Sequence, residues 1–246
     1  MDTLKKTPLH DWHIRNGATM GAFEGWLLPL WYRDDGRKES FAAQNEALIF
    51  DNSYLGIISV RGLDAGKFAQ NVSVKDIGAL NMGDLEQTFL TKKDGRIVDH
   101  VTISKSSNTR FFFTVSANMV AKIHAWFLEL QRTESFDVNI TLPDDYVIFE
   151  VHGSFAEDVL HKTDMIHNQI LPEKKNSFVV LAPYGHTMVV LRTGKDRFEV
   201  IYTKKFAEAL WEEFFTSAKN SEISLLPCGV TMREALRLSP FIEKKG

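Results

Sequence analysis

The sequence predicts an α+β protein with antiparallel sheets and packed helices. Three observations lead there. Strand-like and helix-like segments alternate irregularly, unlike the strict βαβ order of a parallel sheet. An Asp94-Gly95 turn sits between two β-rich runs, a strong hairpin signal. Two segments, around 119–130 and 206–215, carry apolar residues at helical spacing.

Taken in order, the first 50 residues mix large rings with glycines: Trp12, Gly21, Phe23, Gly25, Trp26, Trp31 and Tyr32. That mixture predicts an irregular packed segment with close backbone approaches. Lys38 to Leu48 is expected to be helical, ending before Phe50-Asp51-Asn52. Ile57-Ile58-Ser59-Val60 reads as a strand, and Asp64 as the N-cap of a helix through Phe68 to Asn71. Thr88-Phe89-Leu90 and Ile97 to Ser104 are the arms of the Asp-Gly hairpin, and Arg110 to Val115 is the next strand. Met119, Ile123, Trp126, Phe127 and Leu130 then mark an amphipathic helix. Tyr146 to Val151 is a strand and Ser154 opens a helix through Leu160. Three further strands follow, at Phe178–Ala182, His186–Arg192 and Phe198–Tyr202. Phe206, Leu210, Trp211, Phe214 and Phe215 mark a second amphipathic helix, and the last helix runs from near Val230 to Pro240.

The 246 residues carry 29 basic and 32 acidic side chains, a net charge of −3, with 44% hydrophobic residues. This is ordinary globular usage, long enough to bury a sizeable core. Without a clustered basic face there is no footprint of nucleic-acid binding. The single cysteine, Cys228, has no partner for a disulfide, which fits a reducing compartment. The N-terminus lacks the apolar core of a signal peptide, and no run approaches the ~18 apolar residues of a membrane helix. A cytoplasmic protein is expected, with no membrane or nucleic-acid partner. Neither a phosphate-binding loop nor a dinucleotide glycine fingerprint is present. His161 and His167 stand six apart, wrong for a helical metal pair, and no metal site is expected. No nucleophile elbow is visible.

Several segments, in order, carry more information. They are Thr7-Pro8-Leu9-His10-Asp11-Trp12-His13, Gly17-Ala18-Thr19-Met20, Phe23-Glu24-Gly25-Trp26 with Pro29, and Phe50-Asp51-Asn52-Ser53. Asp94-Gly95-Arg96-Ile97-Val98-Asp99, Arg192-Thr193-Gly194, Phe198-Glu199, Leu226-Pro227-Cys228-Gly229 and Arg233-Glu234-Ala235-Leu236-Arg237-Leu238 follow. This series resembles the aminomethyltransferase (T-protein) of the glycine cleavage system, over essentially the whole chain. The resemblance implies a two-lobed folate-binding fold around a channel for tetrahydrofolate. It also implies one unit spanning 1–246, with an inserted lobe at about 52–140 and without the family's C-terminal barrel.

The sequence departs from that family at defined points. His100 stands where the glycine-cleavage enzymes have their catalytic aspartate, and Ser116 where they have an asparagine. Gly194-Lys195-Asp196-Arg197 replaces a longer loop before Phe198-Glu199. The Lys-Gly-Cys-Tyr-type segment of the branch that supports iron–sulfur protein maturation is not visible; Arg192-Thr193-Gly194-Lys195 stands there.

By resemblance, Glu199 grips the pterin ring, a carboxylate accepting two N–H groups; the alternative is an exposed strand carboxylate. Arg233 matches the arginine beside that glutamate, where it orients Glu199 or meets a carboxylate of the ligand, or is a helix-surface arginine in a local ion pair. His100 shares a strand face with Val98, Thr102 and Ser104, and either handles the proton at the folate nitrogen or merely lines the channel. Tyr54 and Leu55 follow Ser53 as pocket walls or core residues. Ser116 is a further cofactor contact. Asp99, Arg237, Trp12 and Trp26 are expected to be structural, and Cys228 a buried inert thiol. The implied function is tetrahydrofolate-dependent methyl or aminomethyl transfer from a small-molecule or protein-bound donor, demethylation included. The alternatives are a non-catalytic folate-binding sensor or assembly protein, and one subunit of a split aminomethyltransferase completed by a partner or by homodimerisation.

Overall fold

The computed structural model describes residues 3–32, 46–167 and 169–242. In chain order the elements begin with α1 (His10–Arg15), β1 (Thr19–Phe23), β2 (Trp26–Trp31), β3 (Ala47–Asp51), β4 (Gly56–Arg61) and α2 (Ala65–Val72). Next are β5 (Leu85–Thr91), β6 (Ile97–Ser107), β7 (Arg110–Val115), α3 (Val120–Thr133), β8 (Asn139–Thr141) and β9 (Val147–His152). The remainder is α4 (Ala156–Lys162), β10 (Ser177–Leu181), β11 (Met188–Gly194), β12 (Arg197–Tyr202), α5 (Ala207–Asn220), β13 (Leu225–Pro227) and α6 (Val230–Ile242).

Two compact units emerge. One comprises Met1–Tyr54, Tyr146–Leu171 and Val180–Gly246; the other comprises Leu55–Asp145 and Pro172–Val179. The second unit holds a five-stranded sheet in the order β5-β6-β7-β4-β8, antiparallel throughout. Its core joins Ile58, Val60, Val101, Ile103 and Phe113 of the sheet to Phe68 of α2 and Ile123 and Phe127 of α3. Phe127 stands edge-on to both Phe68 and Phe113, at 5.0 and 5.2 Å between ring centres. The helical period of α3 is thus explained, with Ile123, Phe127 and Leu130 as its buried stripe.

The first unit is built on a sheet in the order β10-β11-β12-β9-β3-β13. Its β12, β9 and β3 run antiparallel, whereas β13 pairs with β3 in parallel, the one departure from the expected antiparallel pattern among these paired strands. Side-chain alternation divides this sheet sharply. Val147, Phe149 and Val151 of β9 and Phe198 and Val200 of β12 are fully buried. The Phe149 ring stands 5.0 Å from that of Trp211 in α5. The opposite face carries Leu48 and Phe50 of β3, clustered with Cys228 and Met232. It also carries Glu150, His152, Arg197 and Glu199, whose positions are fixed by register: Glu199 lies opposite Glu150, Arg197 opposite His152, and Phe50 opposite Glu150.

Three expectations need correction. The N-terminal segment is not wholly irregular: β1 and β2 form a hairpin. Its two-residue turn, Glu24-Gly25, takes positive φ at both positions, 47° and 85°, as a tight hairpin requires. Of the helix expected over 38–48, residues 38–45 lie outside the described residues, while Ala47 and Leu48 belong to β3. Every residue of β3 is buried, and a strand covered on both faces shows a continuous apolar run that periodicity does not separate from a helix. The last helix continues past Pro240 to Ile242. No helix among the described residues is long and apolar enough to cross a membrane.

Candidate functional site

The polar strip on the first unit's sheet is built around two carboxylates. Glu150, 1% exposed, is thoroughly engaged. Arg197 places Nε 2.6 Å from its Oε1 and donates from Nη2 to Oε2 at 3.0 Å. Asn52 Nδ2 also donates to Oε2, at 2.8 Å, and Arg233 Nε lies 3.7 Å away. Burial opposes ionisation, but the Arg197 and Arg233 guanidinium groups outweigh it and hold the Glu150 carboxyl down to about 2.

Glu199 is 7% exposed, and among the described residues no hydrogen bond or ion pair reaches its carboxylate. Burial, and then the neighbouring Glu150 charge, push its carboxyl above the ordinary range, against the pull of Arg197 and Arg233. The expectation of an exposed strand carboxylate therefore fails. So does the surface reading of Arg233, whose side chain is 11% exposed. Its Nη1 donates to Tyr54 Oη and to Glu234 Oε1, both at 2.9 Å. Burial works against the Arg233 charge, yet Tyr54, Glu150 and Glu234 hold the proton more firmly than usual. Arg237 pairs with Glu234 one turn away. Tyr54 is buried, its ring edge-on to Phe23, and burial pushes its hydroxyl above the usual phenol range.

Several polar atoms in this strip have no hydrogen-bond partner among the described residues: Asn52 Oδ1, His152 Nδ1, and the Nε atoms of Arg197 and Arg233, both ion-paired with Glu150. Buried polar groups are paired in the great majority of cases, so a cluster of unpaired ones beside an unbonded carboxylate suits a polar ligand edge. A cavity of about 10 Å³, water-sized, lies against Asn52, Tyr54, Phe50 and Arg233.

His100, Ser116 and Leu55, the other sequence-predicted site residues, belong to the second unit. His100 is exposed on β6 while Val101 and Ile103 enter the core, and its ring lies 5.0 Å from that of Phe89. Asp99, expected to be structural, has a fully engaged carboxylate. Its carboxylate accepts the Ser116 backbone N–H at 2.8 Å, the Ser116 hydroxyl at 2.7 Å and the His100 backbone N–H at 2.9 Å. The Ser116 hydroxyl proton is thereby committed to Asp99. Leu55, half-buried, opens this unit. His161 and His167 are exposed, and Cys228 is buried.

The sequence reading missed Glu150 and Arg197 as neighbours of Glu199, and Asn52 and His152 as neighbours of Glu150. The available signal was a lone carboxylate in an apolar strand, Val147-Ile148-Phe149-Glu150-Val151-His152. A second buried network also went unread: His13 Nε2 lies 3.0 Å from Asp51 Oδ2, and Tyr32 Oη 2.5 Å from His13 Nδ1.

The model of the GCVT N-terminal domain family matches residues 9–243. The chain belongs to this family. Among curated GCVT relatives, the aminomethyltransferase of Thermoanaerobacter pseudethanolicus is 31% identical over 243 residues, 96% of this chain and 64% of the relative. The solved glycine cleavage system aminomethyltransferase T from Bartonella henselae matches with a TM-score of 0.81 at 26% identity, over 96% of this chain and 62% of that one. The chain thus has the fold of the glycine-cleavage T-protein and spans a little under two thirds of the length of these two proteins. A chain of heterotetrameric sarcosine oxidase from Corynebacterium sp. U-96 matches at a TM-score of 0.56 and 11% identity over 89% of this chain, a likeness of fold alone.

Proposed function

We propose that this GCVT-family chain binds tetrahydrofolate and transfers a one-carbon unit, methyl or aminomethyl, to or from it. The observation that carries the reading is Glu199: a buried carboxylate with no hydrogen-bond or ion-pair partner among the described residues, in a strip where the Arg233 Nε, ion-paired with Glu150, makes no hydrogen bond. The residues fit the group, because a pterin ring presents an edge of adjacent N–H donors that a carboxylate accepts in pairs. Tetrahydrofolate supplies the nitrogens that take up or give the one-carbon unit.

In this reading Glu199 grips the ring edge. Arg233, steadied by Tyr54 and Glu234, keeps the strip electrostatically suited to it. Leu55 contributes an apolar wall. Ser116, through Asp99, fixes the backbone that carries His100. His100, an imidazole in the place of the family's aspartate, handles the proton of the transfer. The donor is a small molecule methylated on nitrogen, oxygen or sulfur, as in a demethylase, or a protein-bound aminomethyl group.

The deciding experiment is an anaerobic calorimetric titration with tetrahydrofolate. Wild type is expected to bind at micromolar Kd, about −8 kcal/mol, and Glu199→Ala to lose that binding. Equal binding by the variant refutes the role of Glu199, and no binding by wild type refutes the folate reading. His100→Ala is expected to bind tetrahydrofolate but not to turn over a panel of methyl and aminomethyl donors; unchanged turnover removes His100 from proton transfer.

A further inference from the structure

The two carboxylates of the strip face each other across paired strands, and their surroundings are unequal. Glu199 on β12 lies directly opposite Glu150 on β9. Residues so paired project from the same face with their Cβ atoms about 4.5–5.5 Å apart. Both are almost fully buried. Two buried carboxylates sharing a site do not both ionise cheaply. Hydrogen bonds and ion pairs decide which keeps its charge, and they converge on Glu150: Arg197 Nη2 at 3.0 Å and Asn52 Nδ2 at 2.8 Å donate to it, and Arg197 Nε at 2.6 Å and Arg233 Nε at 3.7 Å are ion-paired with it.

The other charged or titratable groups around Glu199 do not alter that division. On its own strand Arg197 is committed to Glu150. On β9, His152 lies 4.0 Å from the Glu150 carboxylate, and burial lowers its basicity. On α6, Arg233 donates to Tyr54 and Glu234. On β11 the residue opposite Glu199 is Leu191.

We propose that Glu150 is a positioning residue for Glu199: by engaging the Arg197 and Asn52 donors and the Arg233 charge it leaves the unliganded pair with one proton, carried on Glu199, and a ligand presenting two N–H groups to Glu199 displaces that proton to solvent. This inference rests on Glu199 as the ligand-gripping carboxylate of the folate reading. The step balances. The Glu199 carboxylic acid loses one proton to the buffer, its carboxylate accepts two N–H hydrogen bonds, and no covalent bond of the ligand changes. Affinity is then constant at pH values above the Glu199 titration of the free protein. Below it, affinity falls about tenfold per pH unit. The direction agrees with the raised Glu199 and lowered Glu150 carboxyls.

Two measurements test this. The first is infrared spectroscopy of the unliganded protein at pH 6, comparing wild type with Glu199→Gln and Glu150→Gln. Wild type is expected to show the C=O band of a protonated carboxylic acid, absent from Glu199→Gln. The band also disappears in Glu150→Gln, where Arg197 and Arg233 turn to Glu199 and ionise it. Should Glu150→Gln fail to fold, the comparison of wild type with Glu199→Gln decides. The second is anaerobic calorimetry of wild type with tetrahydrofolate in buffers of different ionisation enthalpy at pH 6, with release of about one proton expected. A wild-type spectrum without a band that Glu199→Gln removes overturns the inference. Binding without proton release overturns it too. A band with no tetrahydrofolate binding supports the shared proton and refutes the folate reading instead.

Discussion

Replacing Glu150 by Gln conserves shape while removing the charge at the centre of the strip. The Glu150 carboxyl is held at about 2, against an ordinary 4.5. At roughly 1.4 kcal/mol per unit, that difference amounts to about 3 kcal/mol in favour of the ionised form in the folded protein. Because the folded-state value is depressed, this stabilisation is fully present above about 4.5 and is lost as pH falls through about 2. Glu150→Gln is therefore expected to cost up to about 3 kcal/mol at pH 7 and only a small part of that near pH 2, where about half of the native side chain is itself neutral. Glu199 takes over part of the arginine charge in this variant, which reduces the cost. Glu199→Gln alone is expected to be nearly neutral, whereas adding it to Glu150→Gln removes the substitute carboxylate and strands Arg197 and Arg233, so the two costs are not additive. Urea unfolding followed by tryptophan fluorescence suits the measurement, since Trp12, Trp26, Trp31 and Trp211 lie in the unit that contains Glu150. A Glu150→Gln cost independent of pH between 2 and 7, or strict additivity with Glu199→Gln, would refute the reasoning.

Other substitutions probe the frame that holds the site. Gly229→Ala places a Cβ in overlap with the Leu30 carbonyl oxygen and the Trp31 nitrogen, both backbone atoms. A marked fall in Tm or loss of soluble protein is expected, and an unchanged Tm would show that the contact is not so close. Trp211→Ala deletes a fully buried ring that meets Trp12, His13, Phe149 and Phe215, at an expected cost of about 3–5 kcal/mol in urea unfolding. Asp99→Ala leaves the Ser116 and His100 donors without their acceptor, with an expected loss of about 1–3 kcal/mol and faster amide exchange at Ser116 and His100.

Local signals in the chain announced much of the second unit. Asp94-Gly95 marked the hairpin of β5 and β6, the bounds of β7 followed from its β-branched and aromatic run, and the 3.6-residue period of Ile123, Phe127 and Leu130 marked α3. In α3 one face meets water, so the helical alternation of polar and apolar residues survives in the sequence. Around β3 it does not, because both faces are covered. The β1–β2 hairpin hid for another reason: its turn is Glu24-Gly25, with a glutamate at positive φ where Asn or Asp is the usual signal.

The site divides along the same line. The sequence by itself determined the family, through ordered motifs spread over the chain, and with it the candidacy of Glu199, Arg233, Tyr54 and His100. What only the tertiary structure decided is which charges meet. Glu150 and Glu199 stand 49 positions apart in the chain and become neighbours through the register of β9 against β12. Arg233 joins them from the last helix. A carboxylate's protonation depends on burial and on the charges around it. Burial and partners are properties of strand pairing and packing, which residue types and spacings along a chain do not encode.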